Sequence, residues 1–198
     1  MRAPLSTRAC FIILISVCAG SWAGAQVPAD PYARENEQIR MLIKSGNQKV
    51  LNKDYDGAIA DFTDAIEIGK DLPDILRSGP YVNRGLAYEK KGDLDAALAD
   101  LNKSIKIQSN NFYAYQDRAV LYEKRNELDA AIGDYTKVIK LNSKFAPAYS
   151  GRGLILLRQG KDTEAEADFA RYLELNPAGK DSLAKQIVEI KAKRAASP

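Results

Sequence analysis

The sequence predicts an all-α fold in which four helix–turn–helix repeats stack side by side into a solenoid and a further helix covers the last one. Small residues recur at a fixed interval of 34, as in Gly85, Ala119 and Gly153. Within each interval, two apolar stripes at helical spacing flank a short polar turn. After the last repeat, one more stripe at 181–193 indicates a final helix. An interval of this length is typical of stacked helical hairpins, which bury a continuous core between neighbours.

A second series of small residues sets the boundaries of the repeats. Ala97, Ala131 and Ala165 share the interval of 34, and Ala58 precedes this series by 39 positions. We therefore predict repeats at 39–72, 78–111, 112–145 and 146–179. Because small side chains let helices approach closely, we expect each alanine to lie where the two helices of its repeat meet. A large residue four positions later should fill the space between hairpins (Phe62, Leu101, Tyr135 and Phe169).

A residue suited to left-handed backbone separates the two helices of most repeats. Gly92 holds this position in the second repeat, and Asn126 and Gly160 hold it in the third and fourth. Glycine and asparagine are the residues that most readily adopt this conformation at the end of a helix. The first repeat has Lys53 there, so the sequence signal for its turn is weaker.

Three segments lie outside the repeats. Residues 73–77 are extra residues between the first two repeats, and we expect an extended loop because Pro73 ends or bends a helix. Residues 26–38 are predicted to form an N-terminal segment that is partly flexible. Residues 180–198 are predicted to form a capping helix and tail, since a solenoid needs its last apolar face covered. The apolar stripe of that helix consists of Leu183, Ile187 and Ile190.

Residues 1–25 have the pattern of a cleaved secretory signal. Arg2 and Arg8 give a positive start, Ala9–Ala19 is an apolar run, and small residues precede the predicted cut after Ala25. The run is shorter than the roughly 20 residues that a membrane helix needs. We therefore predict a periplasmic or secreted protein with no membrane span after cleavage. An uncleaved membrane anchor is the alternative.

The composition of the mature chain excludes several classes of function. The chain has two cysteines, Cys10 and Cys18, and no histidine, and both cysteines lie in the predicted signal. A disulfide or a Cys/His metal site is therefore not expected, and neither a metal nor another cofactor is predicted. Without Arg2 and Arg8 the net charge falls from +3 to +1. This is far from the basic surface expected of a protein that binds nucleic acid.

No catalytic site is predicted. Without histidine or cysteine, a general base would have to be Asp, Glu or Lys. Recurrent charge at one position of a helical repeat is usually a solvated face, and we interpret the recurrent aspartates in this way. They are Asp61, Asp100, Asp134 and Asp168, with Asp64 nearby in the sequence. An enzyme that uses these carboxylates is the residual alternative.

The repeats resemble the tetratricopeptide repeat family. The family pattern has an aromatic residue at position 4, a small residue at 8, Tyr at 11, Ala at 20 and an aromatic residue at 24. The matching residues of the third repeat are Tyr115, Ala119, Tyr122, Ala131 and Tyr135. The resemblance covers about 39–179. It implies a right-handed superhelical solenoid that binds proteins without catalysis and whose first helices line a concave groove.

The resemblance also implies which residues point into that groove. They are Asn47, Val82, Asn83, Leu86, Lys90, Tyr113, Gln116, Val120, Lys124, Leu154 and Arg158. One row of this set is mostly apolar, and another row, formed by Lys90, Lys124 and Arg158, is basic. We therefore predict a peptide or helix with apolar anchors and an acidic edge as the ligand. The alternative is that the apolar residues only pack between adjacent first helices.

Some tetratricopeptide proteins clamp a terminal carboxylate with Lys, Asn and Arg side chains. Asn47 and Asn83 hold the two Asn positions here, but Ile43, Tyr113 and Asp117 hold the charged positions. This clamp is therefore not expected. The predicted function is an exported bacterial adaptor or scaffold that binds a segment of another protein. The alternative is a structural or self-associating envelope module, for which a homo-oligomer is possible.

Overall fold

A computed structural model describes residues 31–196 of the chain. Within this range the chain forms nine α-helices, one short 3₁₀ turn and no strand. The helices are α1 (Ala33–Leu51), α2 (Tyr55–Ile68), α3 (Asp74–Lys91), α4 (Leu94–Ile107), α5 (Phe112–Lys124), α6 (Leu128–Leu141), α7 (Ala146–Arg158), α8 (Asp162–Leu175) and α9 (Lys180–Ala196). Among residues 31–196, no helical segment combines the length and the apolar composition of a membrane span. The predicted signal at 1–25 and its cut lie outside the described residues.

The first eight helices form four hairpins, which confirms the predicted all-α repeat fold. Each odd-numbered helix packs along the even-numbered helix that follows it, as α3 does along α4. Successive hairpins stack because each even-numbered helix also packs against the next odd-numbered helix. Odd-numbered helices of neighbouring hairpins also touch, as α3 and α5 do. The candidate binding residues all belong to odd-numbered helices.

The recurrent small residues lie where the sequence predicted them. Ala58, Ala97, Ala131 and Ala165 are all fully buried. The odd-numbered helices carry the other small residues of these contacts. A Cβ atom added at Gly153 would lie 2.6 Å from the Phe169 ring, and one added at Gly85 would lie 3.2 Å from the Ala97 carbonyl oxygen. A larger side chain at these positions would therefore push the two helices of a hairpin apart.

All four hairpins turn on a residue with left-handed backbone. The φ angles are 63° at Lys53, 97° at Gly92, 59° at Asn126 and 78° at Gly160. The residue after each one donates its N–H to a carbonyl five positions earlier, as Asp54 does to Lys49 at 2.9 Å. This bond is the one that closes a Schellman motif. The first turn thus has the same geometry as the others although a lysine occupies its strained position.

The extra residues between the first two repeats lengthen a helix, where the sequence predicted an extended loop. α3 begins at Asp74, directly after Pro73, and has 18 residues, against 13 in α5 and 13 in α7. Proline is favourable at the start of a helix because its missing N–H would have no helical partner there. Pro73 therefore marks the beginning of α3, and the prediction of a loop at 73–77 is wrong.

The two ends of the array differ in their helices. α1 begins at Ala33, so the last residues of the segment predicted as 26–38 are helical. At the other end, α9 packs against α7 as the predicted capping helix. Its buried residues Leu183 and Ile190 share a core cluster with Leu154 and Leu157 of α7. Arg194 fixes the far end of α9, since it donates to the Leu157 carbonyl oxygen at 3.0 Å.

Three buried aspartates pair with three arginines at the same interval of 34, and we call these pairs the arginine–aspartate ladder. The pairs are Arg84–Asp100, Arg118–Asp134 and Arg152–Asp168. In each pair, Nε and Nη2 of the arginine donate to both carboxylate oxygens at 2.7–2.8 Å. The aspartates are only 5–6% exposed. The interpretation of these carboxylates as a solvated face is therefore wrong, because each lies opposite an arginine of the preceding helix.

The ladder also connects successive hairpins. Nη1 of each arginine donates to a polar side chain on the even-numbered helix of the preceding hairpin. These acceptors are Thr63, Asn102 and Thr136. The hydrogen bonds to the aspartates raise the pKa of all three arginines above its usual range. The first hairpin has Ser45 in place of the arginine, and its Asp61 accepts from Lys49 at 2.8 Å instead.

Candidate functional site

A cavity of about 330 Å³ lies between α3 and α5, and we call it the central groove. It contains three of the candidate residues, namely Val82, Asn83 and Tyr113. Its other lining residues are Gly79, Asn111 and Asp117. The side chains come together because α3 and α5 are the first helices of adjacent hairpins and touch each other directly. The structure thus brings together residues that are about 30 positions apart in the sequence.

The remaining candidate residues of these two helices are partly open to solvent. Leu86 and Val120 are half-buried, and Lys90 and Lys124 are exposed. Gln116 is half-buried, and its Oε1 atom is buried without a hydrogen-bond donor among the described residues. These side chains continue the surface of α3 and α5 toward the C-terminal ends of the two helices.

The outer candidate residues have different surroundings. Asn47 on α1 and Arg158 on α7 are exposed. Leu154 is only 8% exposed, because it packs in the cluster that contains Leu183 and Ile190 of α9. The capping helix therefore covers the apolar groove position of the fourth repeat. The contact between α9 and Leu154 was not predicted from the sequence. The apolar stripe of α9 indicates that this helix packs against the array, but it does not show against which helix.

The basic row of the groove is largely neutralised within the protein. Lys124 on α5 makes a salt bridge with Glu89 on α3, and Lys90 lies 3.8 Å from the same carboxylate. Arg158 donates to Glu123 at 3.4 Å. Cations that already have an acidic partner add little attraction for an acidic ligand. The prediction that the ligand has an acidic edge rested on this basic row. The structure does not support it, because the cations of the row already have acidic partners.

Glu123 also links the groove to the core. It accepts a hydrogen bond of 2.5 Å from the Tyr135 hydroxyl. Burial, with the charge and the hydrogen bond of Glu123, raises the pKa of Tyr135 above its usual range, so this hydroxyl stays protonated and acts as a donor. The acidic residues between the odd-numbered helices thus have defined partners in the fold.

Asp117 is the exception among these carboxylates. No donor or cation of the described residues pairs with it. Burial, and to a smaller extent the negative charge of Glu89, raise the pKa of Asp117 to about 6. The sequence pointed to Asp117 as a departure from the carboxylate clamp, and the family resemblance also placed its position in the groove. Its burial and its missing partner depend on how α3 and α5 meet, which the spacing of residues does not show.

Two segments of the chain are similar to a known repeat family. Two family models described as tetratricopeptide repeat match the chain, at residues 80–111 and at 117–180. The second, third and fourth hairpins are therefore similar to tetratricopeptide repeats. A curated relative, sperm-associated antigen 1 of Rattus norvegicus, is 31% identical over 84 residues, which are 42% of this chain and 9% of that protein. The chain thus spans less than a tenth of the length of this relative.

Solved structures of other proteins have the same fold. A tetratricopeptide repeat protein of Parabacteroides merdae has a TM-score of 0.67 at 22% identity, over 79% of this chain and 61% of that one. For pilF of Pseudomonas aeruginosa the TM-score is 0.69 at 16% identity, over 81% and 71%. The first tetratricopeptide domain of Spaghetti (RPAP3), bound to the HSP90 peptide SRMEEVD, has a TM-score of 0.54 at 26% identity, over 60% and 94%.

The first hairpin carries a second cavity, of about 570 Å³. Met41 and Leu42 of α1 and Ile68 of α2 form its apolar part. Glu37, Gln38, Asp64 and Glu67 complete the lining. No group of three or more acidic, cysteine or histidine side chains in the described part of the chain is arranged to hold a metal ion.

Proposed function

We propose that the protein is a non-catalytic adaptor that binds a segment of a partner protein in the central groove. The observation that carries this proposal is the open cavity between α3 and α5, whose side chains Val82, Asn83 and Tyr113 come from two repeats. Leu86 and Val120 extend it with half-buried apolar surface. Cavities of a few hundred Å³ with an apolar wall and a few polar groups are typical of binding sites.

The comparisons support a peptide or protein segment as the ligand. Tetratricopeptide repeats mediate interactions with proteins and peptides, and the RPAP3 domain is 26% identical to this chain and has an HSP90 peptide bound. The present chain has Ile43, Tyr113 and Asp117 where a carboxylate clamp needs charged residues. We therefore propose that its groove takes a different segment, not a terminal carboxylate.

The sequence of residues 1–25 is the basis for placing this adaptor outside the cytoplasm. A cleaved signal would deliver the repeats to the periplasm or the medium. Fractionation of cells, with sequencing of the N-terminus of the recovered protein, tests this directly. A mature form that begins after Ala25 in the exported fraction is the expected result. An uncleaved form in the membrane fraction would support the anchor instead.

Crosslinking inside living cells tests the groove. A photoreactive residue placed at 113 or 120 should crosslink to a discrete partner, because both positions lie on the open surface of α5. The same residue at Ala130, which is exposed on α6, is the matched control and should give no such product. Equal products from α5 and α6, or none from α5, would contradict the proposal.

Self-association is a second candidate function, and exposed apolar residues of the first hairpin and at the start of α3 favour it. Met41, Leu51 and Ile75 are large apolar residues that are more than half exposed, and Met41 lines the larger cavity. Exposed apolar surface of this kind often marks an interface. Sedimentation equilibrium tests this candidate: a Met41→Glu variant should weaken any dimer, and a monomer at all concentrations of the wild type would rule the candidate out.

A further inference from the structure

We propose that the central groove selects its partner segment by one basic side chain, arginine or lysine, held between the Tyr113 ring and the Asp117 carboxylate. This inference rests on the proposed function, because it names the chemistry of the ligand for the same groove. It replaces the acidic edge predicted from the sequence with a cationic anchor.

Tyr113 and Asp117 are placed to bind one cation together. They are four residues apart on α5, so they lie on the same face of the helix one turn apart, and both line the cavity. The Tyr113 side chain is 58% exposed. Its ring is held by Phe112, with centroids 4.1 Å apart, and by Phe145 at 6.2 Å. An aromatic face beside a carboxylate attracts a guanidinium or ammonium group by cation–π interaction and by charge.

The charge pattern of the groove leaves Asp117 for the ligand. Glu89 already pairs with Lys124, and Glu123 already pairs with Arg158 and Tyr135. Among the described residues, Asp117 has neither a cation nor a donor. A half-buried carboxylate without a partner is unfavourable in the unbound protein. A basic side chain of the ligand would supply the missing counter-charge.

The opposite wall of the cavity suits the rest of a long basic side chain. Val82 of α3 offers apolar surface to the methylene stem. Asn83 and Asn111 also line the cavity, and their amide oxygens can accept from additional N–H groups. Arginine, with five donors, could use more of these acceptors than lysine.

A random peptide library displayed on phage and selected on the purified protein tests the inference. Selected peptides should contain arginine or lysine beside an apolar residue. Replacement of that basic residue by glutamine should weaken binding at least tenfold, measured by calorimetry. The Asp117→Asn variant should bind the basic peptide at least tenfold more weakly than the wild type and should no longer distinguish it from the glutamine peptide.

Matched variants separate the cation site from general damage to the groove. Glu166→Gln removes an exposed carboxylate of α8 that lines neither cavity, and this variant should bind the basic peptide as the wild type does. Tyr113→Phe keeps the aromatic face and should retain affinity, whereas Tyr113→Ala should lose it. Thermal unfolding of Asp117→Asn at no lower temperature than the wild type shows that the variant is folded.

The outcomes distinguish the two proposals. Selected peptides without a basic residue, or an Asp117→Asn variant that binds the basic peptide as tightly as the wild type, would overturn the cationic anchor and leave the adaptor function in place. A library that yields no peptide able to bind the groove would overturn the proposed function, and the anchor with it.

Discussion

The carboxylates of the arginine–aspartate ladder are buried and paired with a cation, whereas the central groove contains a half-buried carboxylate that has no such partner among the described residues. Asp134 in the ladder accepts two hydrogen bonds from Arg118 and is 6% exposed. Asp117, on the neighbouring helix α5, has no counter-charge, and its pKa is raised to about 6. The paired carboxylate contributes to the contact between helices. The unpaired one weakens the unbound fold, and this contrast is what points to a ligand.

The largest effect is expected in the ladder. Asp134→Ala would leave the Arg118 guanidinium largely buried without its carboxylate. Loss of one partner of such a pair should lower the free energy of unfolding by about 3 kcal/mol. Chemical denaturation followed by circular dichroism measures this change. Asp64→Ala, at an exposed site on α2, is the control and should change stability by less than about 0.5 kcal/mol. If Asp134→Ala changed the free energy of unfolding only slightly, the paired carboxylate would not stabilise the fold, and the contrast with Asp117 would fail.

In the central groove, removal of a carboxylate should raise the free energy of unfolding, whereas in the ladder it should lower it. Asp117→Asn should raise the free energy of unfolding at pH 7.5, because the amide has no charge to keep hydrated. The pKa of Asp117 is about 6 instead of the usual 3.8, and this difference sets the size of the expected gain in stability. At about 1.4 kcal/mol per unit, reduced for solvent screening at a half-buried site, the gain should be about 1–2 kcal/mol. A loss of stability in denaturant titrations of this variant would show that Asp117 has a stabilising partner.

The pH dependence of that gain sharpens the comparison. The folded-state pKa of Asp117, about 6, lies above its unfolded value, so the folded protein takes up a proton first as the pH falls. The penalty of the ionised group is therefore present above about pH 6 and disappears toward pH 4. The stability difference between Asp117→Asn and the wild type should shrink over the same range. Glu89 of α3, whose negative charge acts on Asp117, and Tyr135 of α6, whose pKa Asp117 helps to raise, are present in both proteins.

The smallest effect is expected at Lys53, a residue of the first turn that has unfavourable backbone geometry and does not line the central groove. Its φ of 63° is strained for a side chain with a Cβ atom. Lys53→Gly should raise the free energy of unfolding by about 0.5–1 kcal/mol, since part of the gain is offset by the greater freedom of glycine in the unfolded chain. Peptide binding should not change. If Lys53→Gly altered peptide affinity as much as Asp117→Asn, the effect of Asp117→Asn on binding would not be specific to the groove.

The repeat interval was enough to predict the hairpins but not their polar contacts. Ala97, Ala131 and Ala165 could be placed because close packing demands a small residue at each equivalent contact. Arg84, Arg118 and Arg152 recur at the same interval, so the signal for the ladder was present in the sequence. It was missed because a charged residue on a helix is usually solvated, and only the packed structure shows which helix lies opposite.

Contacts between repeats were harder to predict than contacts within them. The sequence predicts that Pro73 ends or bends a helix, yet Pro73 directly precedes the first residue of α3. Leu154 belongs to the apolar groove row, yet α9 covers it. The environment of Asp117 depends on the approach of α3 and α5. None of these features follows from the repeat register, because each depends on how one hairpin is placed against the next.

Calorimetric titration of the selected basic peptide into the wild type and into Asp117→Asn, with the unfolding free energy of both proteins measured at pH 7.5, tests the central claim most directly. The claim predicts that the substitution raises stability and weakens peptide binding at least tenfold. A variant that is less stable than the wild type and binds the peptide equally well would contradict it.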